Sequence, residues 1–86
     1  MKLLEINNIV KKDIPLHYRK EFTAEAIFSI AEDRLLTKNI KFIIEYNHSG
    51  DFDVKVNLLE PLNYPLLPTL RMIKELIIDL EKRGAL

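Results

Sequence analysis

Thr23-Ala24-Glu25-Ala26-Ile27-Phe28-Ser29-Ile30-Ala31-Glu32-Asp33-Arg34-Leu35-Leu36 fits two periods, and the choice between them sets the topology of the chain. As a helix it has Thr23 as its cap, a stripe of Ala24, Ile27, Phe28, Ala31 and Leu35, and the good propensity of Ala, Glu, Arg and Leu. As a strand it places Phe22, Ala24, Ala26, Phe28 and Ile30 on one face and Glu21, Thr23, Glu25, Ile27 and Ser29 on the other. The stretch is read as a helix over 23–36, with a strand over 19–30 as the alternative.

On the C-terminal side, two period-two runs face each other across a turn. Ile40, Phe42, Ile44 and Tyr46 alternate with Lys41, Ile43 and Glu45, and Phe52, Val54, Val56 and Leu58 alternate with Asp53, Lys55 and Asn57. Asn47-His48-Ser49-Gly50 suits a type I turn closed by a left-handed Gly50, which predicts the pairs Tyr46 with Phe52, Ile44 with Val54 and Phe42 with Val56. Thr37-Lys38-Asn39 is read as the turn into this hairpin. Three prolines, Pro61, Pro65 and Pro68, then make a stiff crossing. Beyond them Leu70, Met72, Ile73, Leu76, Ile77 and Leu80 form a helical arc with Arg71, Lys74, Glu75, Asp79 and Lys82 opposite, and Gly84 terminates it. Met72 reads as core filler.

On the N-terminal side, residues 2–10 alternate imperfectly and predict a strand broken near Asn7-Asn8. Residues 11–22 contain Asp13-Ile14-Pro15, which forces an irregular passage. Twelve residues without structure is long for so small a domain, so part of that passage is expected to belong to an element. The resulting fold class is α+β: a small antiparallel sheet built on the 40–58 hairpin and covered by helices in the order βαββα, a ferredoxin-like unit without its last strand. The alternative is a ββββα meander.

Eighty-six residues make a single domain, 1–86, with a modest core that association would help. Thirteen basic residues balance thirteen acidic ones, which lacks the basic excess typical of nucleic-acid binders. With no cysteine, disulfides, thiolate metal sites and cysteine nucleophiles are excluded, and a reducing, cytoplasmic setting is expected. Neither a signal peptide nor an apolar run of membrane-spanning length is read, so no membrane partner is expected.

No spacing in the chain carries catalysis. There is no HExxH, no phosphate loop, no dinucleotide fingerprint and no Ser-His-Asp arrangement that can be placed. Glu45 opposite Asp53, with His48 and Asp51 at the turn, is read as solvated turn chemistry relieved by Lys55, so neither a metal nor a cofactor is assigned. Lys11, Lys12, Tyr18, Arg19 and Lys20 form a basic run that could follow phosphates with Tyr18 stacked on a base. As surface charges, Arg19 and Lys20 are expected to be dispensable for folding.

Two apolar residues stand where polar ones are expected: Ile43 on the wet sheet face, and Ile78 between Lys74 and Lys82. In the βαββα order residues 2–10 form a bare edge, with Leu4 and Ile6 on it and little charge to protect it. The functional expectation is a non-enzymatic interaction module, a homodimer or a subunit of a larger assembly, with Ile43, Ile78, Leu4 and Ile6 as candidate interface. The alternative is a small RNA- or single-stranded-DNA-binding protein using the 11–20 segment.

Overall fold

Residues 1–86 are all described by the structure, a computed structural model. The elements are β1 (Lys2–Lys11), β2 (Arg19–Ala31), β3 (Arg34–Tyr46), β4 (Phe52–Leu58) and α1 (Leu66–Lys82). The four strands form one antiparallel meander in the order β1-β2-β3-β4, and α1 packs on one face. The class is α+β as expected, but the order is ββββα rather than βαββα.

The correction lies in residues 23–36. They are the second half of β2, a turn at Glu32-Asp33 and the start of β3, with Asp33 in the left-handed region at φ 59°. Two 13-residue strands result, and they pair from Arg19 with Glu45 to Ala31 with Arg34. Period two wins because burial follows it: Phe22, Ala24, Ala26 and Phe28 are all buried in one cluster with Ile73 and Ile77 of α1. Phe22 stacks on Phe42 with ring centroids 4.8 Å apart, a cross-strand contact that no local helix could make. The awkward 11–22 passage shrinks accordingly, because β2 takes residues from Arg19 onward.

The second hairpin has the expected register, Tyr46 with Phe52, Ile44 with Val54 and Phe42 with Val56. Its turn is closed by the Gly50 N–H donating to the Asn47 carbonyl at 3.2 Å and the Asn47 N–H donating to the Asp51 carbonyl at 2.8 Å. Asn47 Oδ1 accepts from the N–H groups of Ser49 and Asp51, which holds Gly50 at φ 89°.

At the other end of the sheet, β1 carries two bulges, one between Leu3 and Glu5 and one between Asn7 and Val10. The second has Asn8 at φ 50°, in the place where the sequence predicts a break. These bulges interrupt the row of free backbone groups on which the bare edge of residues 2–10 depended.

In α1, Thr69, Ile73 and Ile77 are buried at four-residue spacing and Glu81 completes the stripe. Thr69 Oγ1 donates to the Pro65 carbonyl, closing the first turn, and Gly84 at φ 68° ends the last.

Candidate functional site

The antiparallel alternation of β4 determines which of its backbone groups are free. Asn47 bonds to Asp51 and the Leu59 N–H donates to the Asn39 carbonyl at 3.0 Å, so the odd-numbered residues of β4 face β3. The N–H and C=O groups of Phe52, Val54, Val56 and Leu58 therefore point outward, along an edge that no strand covers. Unlike β1, this edge has no bulge.

α1 runs antiparallel to that edge and forms the other wall of a groove. Leu67, Leu70, Arg71 and Lys74 lie beside Val54, Lys55, Val56 and Asn57 around a volume of about 570 Å³. The groove continues past Ile78 and Lys82 to Gly50, Asp51 and Phe52. Its apolar floor is supplied by Val54, Val56, Leu67 and Leu70, and Leu67 is 72% exposed. None of Arg71, Lys74 and Lys82 has a carboxylate within ion-pair distance. Val54 is only 3% exposed, yet its outward peptide groups meet no hydrogen-bond partner from α1. A buried peptide group left unpaired is costly, so this is a position where an added donor and acceptor would stabilise the chain.

A second constellation locks α1 in place. The buried Glu81 carboxylate accepts from Tyr46 Oη at 2.6 Å and from Lys20 Nζ at 3.1 Å, and Lys20 lies 5.5 Å from the Tyr46 ring centroid. The hydrogen bond to Glu81, with burial and the carboxylate's charge behind it, pushes the Tyr46 hydroxyl up to about 12. Glu81 was not singled out from the sequence. Its signal was its place on the Thr69, Ile73, Ile77 stripe, masked by the charged run around it.

The outer face of the sheet is a lattice of ion pairs. Glu21 meets Arg19 Nε at 3.2 Å and Lys41 Nζ at 3.5 Å, and Glu45 lies 3.9 Å from Arg19 and 3.8 Å from Lys55. Burial raises the Glu21 carboxyl, but Lys41 outweighs it with help from Arg19 and Lys12, so the group sits below its ordinary range. Lys55 relieves Glu45 as the sequence reading requires. No three His, Asp or Glu side chains are gathered so as to hold a metal.

The candidate residues scatter. Ile6 and Ile78 are half-buried against the core, and Ile78 also lines the groove. Leu4 is exposed at the first bulge. Ile43 is half-buried on the outer face, where register sets it between Glu21 and Lys55, whose aliphatic stems flank it. In the basic run, Lys11, Lys12 and Tyr18 are exposed, but Arg19 is committed to Glu21 and Glu45 and Lys20 to Glu81. The expectation that Arg19 and Lys20 are dispensable is therefore corrected, because Lys20 neutralises a buried carboxylate.

No helix is long and apolar enough to cross a membrane. Neither a curated protein nor a solved structure matches the chain. One family model does match, over residues 1–82, nearly the whole of the β-meander and helix just described, and on that ground the chain belongs to the BB_0187 family.

Proposed function

We propose that this protein is a non-enzymatic interaction module that takes a strand of another chain onto the β4 edge. The observation that carries this is the unbulged row of outward N–H and C=O groups at Phe52, Val54, Val56 and Leu58, set beside an apolar groove wall. The surface area agrees with such a role: 5961 Å² against about 5,300 Å² for an ordinary monomer of this mass. Against acid–base catalysis, the one deeply buried carboxylate is occupied by two donors, and its hydroxyl partner ionises far above neutral pH.

Panning random ten-residue peptides displayed on phage against the wild type and Val56→Pro tests the reading. Proline removes an outward N–H that has no partner within the chain. Peptides that bind the wild type and not Val56→Pro, with both proteins melting cooperatively, are the expected result. Peptides that bind both equally would refute it.

A further inference from the structure

Resting on the strand-addition reading, we infer that the occupant of the β4 groove is an extended, acidic segment of about seven residues from a different protein, with an apolar side chain two residues from a carboxylate. The length follows from β4, whose seven residues span about 20 Å.

The chemistry follows from the α1 flank. An added strand turns every second side chain toward α1, at a repeat of about 6.8 Å. Successive turns of the helix, about 5.4 Å apart, offer first Leu67 and Leu70 and then Arg71 and Lys74. Adjacent inward positions of the segment thus meet an apolar surface and then two cations. Arg71, Lys74 and Lys82 have no carboxylate partners of their own, so an acidic side chain meets charge that is not already neutralised.

A second copy of the chain fits less well. A two-fold axis at β4 would set both helices on the same sheet face and bring Arg71, Lys74 and Lys82 toward their own images. Head-to-tail pairing with β1 would offer the acidic flank of Glu75 and Asp79, but the β1 edge is bulged twice and Asp79 is held by Arg83 at 2.8 Å.

The test repeats the peptide selection on the wild type and on the double variant Arg71→Glu, Lys74→Glu, both positions being exposed on the helix. Selected peptides are synthesised with a fluorophore and their affinities measured by anisotropy at low and high salt. Expected are peptides rich in Asp and Glu at two-residue spacing from an apolar residue, bound ten-fold or more weakly by the double variant and weakened by salt. Neutral or basic peptides that ignore the charge reversal but are lost in Val56→Pro would overturn the acidic occupant while leaving strand addition standing. So would the absence of any selected peptide together with a dimer that Val56→Pro dissociates. Peptides indifferent to Val56→Pro, or no peptide and a strictly monomeric protein, would overturn both.

Discussion

Gly50 sits at φ 89° with open space where a β-carbon would go, so Gly50→Ala should cost about 1 kcal/mol through backbone strain alone. Chemical denaturation measures it, and a neutral effect would remove the turn assignment. Glu81 carries more. Its replacement by Ala leaves the Tyr46 hydroxyl without an acceptor and Lys20 without its carboxylate, and should cost about 2–3 kcal/mol. Tyr46 gives the same contact a spectroscopic readout. Its hydroxyl is raised to about 12, so this contact's contribution is fully present below the unfolded value near 10 and is lost as pH rises through about 12. A titration of tyrosinate absorbance should show a late step that Tyr46→Phe removes and Glu81→Gln moves down. Glu21 acts in the opposite sense. Its pKa is depressed, so its stabilisation is present above the ordinary carboxylate range and fades as pH falls through the folded value. Glu21→Gln should therefore flatten the acid limb of the stability profile, and an unchanged limb would show that the Lys41 and Arg19 pairs are screened out.

Among the elements, Ala26 separates the two readings of residues 23–36. On a helix it lies off the Ala24, Ile27, Phe28, Ala31 stripe and would tolerate Leu, whereas in β2 it is fully buried under the same cluster as Ile73 and Ile77. Ala26→Leu should destabilise by about 1–3 kcal/mol, read from the melting temperature. The second hairpin was legible because Asn47 and Gly50 name their turn, and α1 because its stripe and Gly84 agree. The first hairpin was not, since its turn, Glu32-Asp33, carries neither Gly nor Asn, and β2 is built from residues that favour helices locally. Tertiary burial decided it. The break in β1 was legible at Asn7-Asn8 for the converse reason: Asn tolerates the left-handed conformation that the bulge uses. The groove could be glimpsed only in Ile78, set between Lys74 and Lys82. Its other wall depends on which edge β4 occupies, and that follows from the meander order.

For the whole molecule, the two sheet edges are unlike. β1 is bulged and flanked by Glu75 and Asp79 of α1, whereas β4 is regular and flanked by Arg71, Lys74 and Lys82. The β1-edge homodimer expected from residues 2–10 loses its basis to the bulges, and a β4 two-fold meets like charges. Light scattering at tens of micromolar and low salt should therefore give the mass of one 10.1 kDa chain. A dimer would move the partner from a foreign acidic segment to a second copy.

Amide hydrogen exchange along β4, free and saturated with a selected peptide, tests strand addition most directly. The amides of Asp53, Lys55 and Asn57 are already bonded to β3 and should be protected in both states. Those of Phe52, Val56 and Leu58 should exchange freely at first and slow ten-fold or more in the complex. If they stay unchanged while protection appears on β1 or on the outer face around Ile43, the β4 edge is not where the partner binds.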